Sequence, residues 1–294
     1  MILSRPRLQN TNSTSNESGA TSDDSYIAGQ AERRGFVNEA QRPLRLLDAL
    51  PSRPTISDSV EFIQLGSTGD ASEQVNEGDE KAEIDVDGEL ATANIVTIAA
   101  HTTASRQVIS DHSTLQGAID RIVTHKLLSR LEHQIINGVG GQGKINGLLA
   151  QAVAFIPTIG VTPADIIGES LTRQADNGYV PNLVLMNPLD WFRIQITKST
   201  TDEEYIFGSP TMPVPPALWN ASIIRTPSVP EGTVLTVDTM FATVLDREAP
   251  SVMLSNSHKD YFTRNLLAIL GELRAGLEVL DVFAVYKISI EASS

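Results

Sequence analysis

Between Thr114 and Asn137 the apolar residues Leu115, Ile119, Ile122, Val123, Leu127, Leu131 and Ile135 recur at i, i+3 and i+4. That period puts them on one face of an α-helix. Ser113 is placed to cap its start, and Asn137-Gly138 to stop its end. At 1.5 Å per residue such a helix is roughly 36 Å long. A helix of that length with one apolar face is a spine, and other elements must lie along it.

The elements around it are mixed. Residues 1–25 are rich in Ser, Thr and Asn and read as an arm that alone cannot offset its ordering entropy. Leu44, Leu46, Leu47 and Leu50 begin compact structure, and Pro51 and Pro54 break any helix there. Val60 and Phe62 alternate as in a strand, and strand-like sequence resumes at Ile95–Ile98. The polar stretch Gly66–Gly88 between them makes the pair an extended hairpin with an acidic tip. From 70 to 89, nine carboxylates (Asp70, Glu73, Glu77, Asp79, Glu80, Glu83, Asp85, Asp87 and Glu89) face one cation, Lys81. Taken alone, a charge run of this kind is a solvated loop.

Further on, Thr162-Pro163 with Asp165 starts a second helix that stops at Asn177-Gly178. Leu183–Met186 is a short buried strand, and Asn187-Pro188 caps a third helix through Trp191 and Ile194. Strands are predicted at Ser222–Arg225, Thr233–Val237, Ala242–Leu245 and Val252–Leu254, with apolar segments Leu266–Leu280 and Val282–Ile290 closing the chain. The order predicts an α+β fold with no internal repeat.

Composition narrows the function. The chain has no cysteine, which removes a disulfide scaffold, Cys-ligated metals and a Cys nucleophile, and fits synthesis in a reducing cytoplasm. Net charge is −14 over 294 residues, so on balance the chain repels nucleic acid. No apolar run of about 20 residues is present to cross a membrane.

Gly138-x-x-x-x-Gly143-Lys144 satisfies the core of a phosphate-binding loop. Ile145 stands where such a loop needs Ser or Thr, and the motif follows a helix instead of opening one. It reads as a glycine turn. Of the five histidines, His101, His112, His125, His133 and His258, none forms H-E-x-x-H, and His125 and His133 are two helical turns apart. No G-x-S-x-G is present. No catalytic residue, metal site or cofactor is expected.

Four stretches in order resemble the major capsid proteins of tailed bacteriophages, the Hong Kong 97-like coat fold. They are Thr97–His101 with Ala104–Val108, Asp111 and Leu115-Gln116; Asn137-Gly138 followed by Gly147-Leu148; Val184–Pro188 with Asp190-Trp191, then Tyr205–Gly208 and Pro210; and Asp246-Arg247 with Asp260, Phe262, Asn265–Leu267, Ile269, Glu272 and Arg274. They span roughly residues 44–290.

The resemblance implies a structural protein. Its parts would be an N-terminal arm (1–43), an E-loop (58–100), a P-domain (44–57, 101–150 and 246–294) holding the spine helix, and an A-domain (151–245). Subunits would form pentamers and hexamers closing an icosahedral shell around double-stranded DNA, bound neither strongly nor specifically, in a virion assembled in the host bacterial cytoplasm. A separate scaffolding protein, a portal protein and a maturation protease are the implied partners. The alternative within the same fold is a cellular nanocompartment shell that encloses cargo enzymes.

Two expectations follow about contacts between subunits. The acidic loop, with Asp79, Glu80, Glu83 and Asp85, is expected to dock near a neighbour's basic stretch, with Arg121, Lys126 and Arg130 at its centre and Arg106 and Lys144 flanking it. Some family members join a loop Lys to a neighbour's Asn with help from a Glu. Asn265 and Glu272 match the latter two, but Ile84 stands where the reactive Lys would be, and Lys81 lies three residues earlier. No such cross-link is expected.

Overall fold

The computed structural model describes residues 39–74, 81–107, 113–199, 205–207, 215–258 and 260–290, with only the backbone at 113 and 114. The described residues all lie in one compact unit, Asn38–Ser294, an α+β body built on two sheets. The expected arm therefore lies outside the described residues, apart from its last few positions. So do the side chain of Ser113, proposed as a cap, and residues Asp79, Glu80, Asp111 and Gly208.

The first sheet has the order β1-β9-β10-β3-β2. These are β1 (Ser52–Pro54), β2 (Ser59–Thr68), β3 (Asp85–Ser105), β9 (Ala242–Ser255) and β10 (Leu266–Val279). A short helix, α1 (Arg45–Ala49), precedes β1, and Leu46 and Leu50 beside Pro51 are buried. β3 is one unbroken strand shared by two partners. Asp85 to Asn94 pair with β2, and Ile95 to Ser105 pair with β10.

The expected hairpin is present, but its strands run further than expected. The segment 66–88 is not one polar excursion: β2 continues to Thr68 and β3 begins at Asp85. Asp and Gly are poor strand formers, which hides this in composition. The alternation of Val86, Gly88 and Leu90 with Asp85, Asp87 and Glu89 is nevertheless a strand period. The two strands expected at 242–245 and 252–254 are likewise one, β9. Its register against β10 shifts between Glu272 and Ala275, and Pro250 sits in that irregular stretch. A bulge is where a sheet tolerates a residue with no N–H to donate.

The predicted spine is α2 (Ser113–Asn137). It lies on β3, β9 and β10. Leu127, Leu131, Ile135 and Ile136 are buried in a cluster with Val96, Leu273, Ala275 and Leu277 of the first sheet. Close approach needs Gly271 on β10, because a Cβ there would lie 2.3 Å from Val123 Cγ1 and 3.0 Å from Leu127 Cδ1. The glycine turn after α2 is as expected. Gly140, Gly141 and Gly143 take positive φ, and Val139 bridges Asn146. Gly138 is required sterically, since a Cβ would meet the Ile145 carbonyl at 2.1 Å.

A one-turn helix, α3 (Leu148–Gln151), leads to the second sheet, of order β4-β11-β8-β5-β7-β6. Its strands are β4 (Val153–Phe155), β5 (Leu183–Met186), β6 (Ala217–Leu218), β7 (Ala221–Arg225), β8 (Thr233–Val237) and β11 (Val285–Ser289). Residues 285–289 fall within the segment grouped with the spine in sequence. The structure pairs them with β8 and β4 instead, because Val285, Tyr286 and Ile288 complete this sheet's apolar layer.

One face of the second sheet joins the cluster around α2, through Leu183, Leu185, Leu235 and Val237. The other face carries α4 (Pro163–Asp176) and α5 (Pro188–Gln195), packed through Ile167, Leu171, Trp191 and Ile194 onto Val184, Met186, Ile223 and Val234. Both helices start as predicted. Thr162 and Asp165 form a reciprocal capping box, and the Asn187 side chain accepts from the Leu189 N–H.

Gly271→Ala should force Val123 and Leu127 apart. We expect a loss of about 1–3 kcal/mol, the usual range for overpacking, read as a lower thermal midpoint with unchanged far-ultraviolet circular dichroism.

Candidate assembly interface

The β2–β3 ribbon has two chemically different faces. Partners in register share a face, so Ile63 with Leu90, Leu65 with Gly88 and Ser67 with Val86 lie on one side. Phe62 with Ala91, Gln64 with Glu89, Gly66 with Asp87 and Thr68 with Asp85 lie on the other. The second side is half-buried at its base, where the Gln64 amide donates to the Val279 carbonyl, and acidic towards the tip. The first side is apolar and open. Ile63, Leu65, Val86 and Leu90 are 64%, 74%, 62% and 64% exposed. Gly88 leaves room for Ile63 to lie across it, since a Cβ there would sit 2.9 Å from Ile63 Cγ2. A two-stranded ribbon is marginal in water without a packed face, and among the described residues nothing covers that face.

The structure places the acidic and basic residues singled out in sequence as follows. Glu83 and Asp85 are exposed at the far end of the ribbon, while Asp79 and Glu80 lie outside the described residues. Lys126 and Arg130 are exposed one helical turn apart on α2, so they share a face. Lys126 already has Glu39 at 3.9 Å. Arg121, also exposed, lies about 180° around the helix from Arg130 at 3.6 residues per turn. Density of basic residues along the sequence is thus not a single ridge on the surface.

Sequence reasoning missed a polar cluster that ties three segments together. Glu132 on α2 is fully buried. Its Oε1 accepts from Arg42 Nη1 at 2.8 Å and from the Thr226 hydroxyl at 2.5 Å. Arg42 Nη2 also reaches Ser129 and Ser228, each at 3.4 Å, and the Arg42 carbonyl meets His125 Nε2 at 2.9 Å. The Asn137 amide donates to the Ser228 carbonyl at 2.6 Å. Residues 39–42, the spine and the turn after β7 are thereby clasped at one point. His133 beside this cluster has its pKa lowered, by burial first and then by Arg130 and Arg42. The sequence signal was a glutamate on the apolar side of an amphipathic helix.

A second polar device fixes a surface loop. Glu169 on α4 accepts from the Thr158 hydroxyl at 2.6 Å and from the backbone N–H groups of Thr158, Ile159 and Gly160. Three successive amides and a hydroxyl favour the carboxylate form and pull its pKa down to about 2, with the Thr158 hydroxyl as the largest cause. The loop so held displays Ile156, Ile159 and Val161, all at least 77% exposed.

Among the described residues no group of three or more His, Asp or Glu could hold a metal ion, and no helix is long and apolar enough to cross a membrane. A spine helix on a long-stranded sheet, an open apolar ribbon and clasped surface segments are the features of a structural protein. The comparisons agree. Residues 25–290 match the model of the phage capsid family. The chain is 30% identical over 265 residues to the major capsid protein of Enterobacteria phage HK97, covering 88% of this chain and 68% of that one. The fold is shared with a chain from Microbacterium phage Oxtober96 at TM-score 0.72 and 15% identity, covering 88% of this chain and 95% of that one. It is shared equally with a chain from the capsid of a native GTA particle, at TM-score 0.72 and 14% identity over 91% and 97%. The chain belongs to the phage capsid family. It is a major capsid protein of the HK97-like coat fold.

Two predictions test the polar devices. Arg42→Met strands a buried carboxylate, so dissociated subunits should lose about 3–5 kcal/mol in urea denaturation. Arg42→Met with Glu132→Met should recover most of that. For Glu169, a pKa lowered on folding contributes stability that is present above the ordinary value near 4.5 and is lost as pH falls towards about 2. Amide signals of Thr158, Ile159 and Gly160 should shift together over that interval in a titration followed by nuclear magnetic resonance. In Glu169→Gln they should show no transition there.

Proposed function

We propose that this chain is the coat subunit of a tailed-phage head, assembling as pentamers and hexamers into an icosahedral shell around double-stranded DNA. The observation that carries the reading is the ribbon's uncovered apolar face, because a surface of four large aliphatic side chains needs a partner. Family membership supports a second copy of the chain as that partner. The first sheet with α2 serves as the P-domain, the ribbon as the E-loop, the second sheet with α4 and α5 as the A-domain, and residues 1–43 as the arm. An acidic subunit, net −14, suits a container that must not grip its packed DNA. A scaffolding protein, a portal and a protease belong to the same proposal.

Magnitudes assign different tasks to the two faces. Full burial of an aliphatic side chain is worth roughly 1.5–3 kcal/mol, whereas an exposed ion pair gives about 0.2–1 kcal/mol. Docking of the ribbon therefore rests on Ile63, Leu65, Val86 and Leu90. Asp79, Glu80, Glu83 and Asp85 steer it towards the basic side chains of a neighbour's α2, Lys126 and Arg130 on one face and Arg121 on another, and act on rate and register. Ile84 supplies no amine, so the shell closes without a Lys–Asn cross-link. Asn265, in the left-handed region at φ 53°, and Glu272, 3.7 Å from Arg274, act locally.

Ile63→Asp with Leu90→Asp should abolish particle formation at every salt concentration. Arg121→Glu with Arg130→Glu should slow it at low salt only, because the Debye length is already about 8 Å at physiological strength. Analytical ultracentrifugation across a salt series checks both. Purified particles should contain DNA and not a protein cargo, and denaturing gels should show no ladder of joined subunits.

A further inference from the structure

The outer layer of the second sheet carries an apolar groove and, separately, an apolar ridge that stands exposed among the described residues. The groove, of about 1,040 Å³, is lined by Leu171, Thr172, Ala175, Val180, Pro181 and Trp219. Trp219 is its most constrained member. It lies in the two-residue turn joining β6 to β7, with positive φ at both Trp219 (49°) and Asn220 (67°). That region is costly for a bulky residue and persists only where the surroundings hold it. Two contacts hold it here. The indole N–H donates to the Ala164 carbonyl at 2.8 Å, and the ring lies on Gly168, where a Cβ would come within 2.7 Å of Nε1. Yet Trp219 is 62% exposed. An aromatic ring locked in place with most of its surface open is a preorganised anchor, because it loses little entropy on being covered.

The ridge is on α5. Leu189, Phe192 and Ile196 follow at i, i+3 and i+7 and are 52%, 57% and 44% exposed, while Trp191 and Ile194 point into the core. The stripe is about 10 Å long at 1.5 Å per residue. Arg193 stands beside it, tied to Asp190 at 2.6 Å and Glu231 at 3.1 Å, and Lys198 follows over the Tyr205 ring. The rim of the groove is net negative, with Asp165, Glu169 and Asp176 against Arg173, whereas Arg193 and Lys198 beside the ridge are balanced by Asp190 and Glu231. The polar groups of Asp165 and Glu169 are already engaged with the backbone of their own chain, so the groove offers a fixed apolar hole without a converging set of free polar groups.

Topology separates the two surfaces. Tyr179 to Pro181 enter β5 and Trp219 precedes β7, and these strands are parallel, so the groove lies at their N-terminal ends. α5 springs from the C-terminal end of β5 through Asn187. A hole at one end and a knob at the other suit a head-to-tail contact, in which each copy uses both surfaces and the set closes as a ring. We propose that the α5 ridge of one subunit seats in the Trp219 groove of the next. The inference rests on the self-assembly proposed above and adds the surfaces that join neighbours within a capsomer.

The absence of cysteine from the chain makes the test direct. A variant carrying both Phe192→Cys and Ala175→Cys is assembled and then oxidised. The expected result is a ladder of disulfide-joined subunits, absent from either single-cysteine control. Leu189→Glu with Phe192→Glu, changes at exposed positions, should lower the assembled fraction at least about tenfold while the soluble subunit keeps its circular dichroism and melting temperature. Assembled particles that give no ladder, together with normal assembly of the Glu variant, would overturn the ridge-and-groove contact and leave the coat function standing. A cysteine-free chain that forms no particle at all would sink both.

Discussion

The seating of α2 on the first sheet, in an apolar cluster that the second sheet joins, is the contact on which the rest depends. A single apolar cluster holds Leu127, Leu131 and Ile135 of the helix, Leu273 and Leu277 of the first sheet, and Leu183, Leu235 and Val237 of the second. Gly271 sets how closely helix and strand approach, and the Arg42–Glu132 pair fixes the helix's other side to the chain that enters and to the turn after β7. Apolar burial supplies the energy here, while the Arg42–Glu132 pair makes the arrangement costly to break, since removing Arg42 leaves a buried carboxylate uncompensated.

Much of this was legible in the residues. The helical stripe of α2, the capping box at Thr162 and the Asn187-Pro188 start are local signals whose physics is complete within a few positions, and the structure keeps them within one or two residues. What escaped was of two kinds. Acidic and glycine residues masked the alternation of β3 between 85 and 90, so the charged side of the ribbon was visible and the apolar side was not. Pairings that bring distant segments together, such as Arg42 with Glu132 or 285–289 with β8, leave no mark at any one place in the chain.

The candidate contact surfaces show the same division. Counting charges drew attention to Arg121, Lys126 and Arg130, but helical geometry disperses them. The exposed apolar residues matter more, and they are distinguished by being held in place: Ile63 lies across Gly88, Trp219 across Gly168, and Ile159 in a loop pinned by Glu169. In each case the small residue or the carboxylate removes freedom from a side chain before any partner arrives.

The continuity of β3 has a mechanical consequence. Twenty-one residues of extended chain span roughly 70 Å at 3.3 Å per residue, with the outer half bonded to β2 and the inner half to β10. The strand is therefore a cantilever whose root is the sheet beneath the spine helix. A force on the free end has no hinge in which to dissipate, and it becomes a bending moment at Ile95, where the hydrogen bonds change partner. With the ribbon docked on a neighbour as proposed, a subunit whose ribbon is displaced feels the load in its own core, and strain would pass from body to body along these beams.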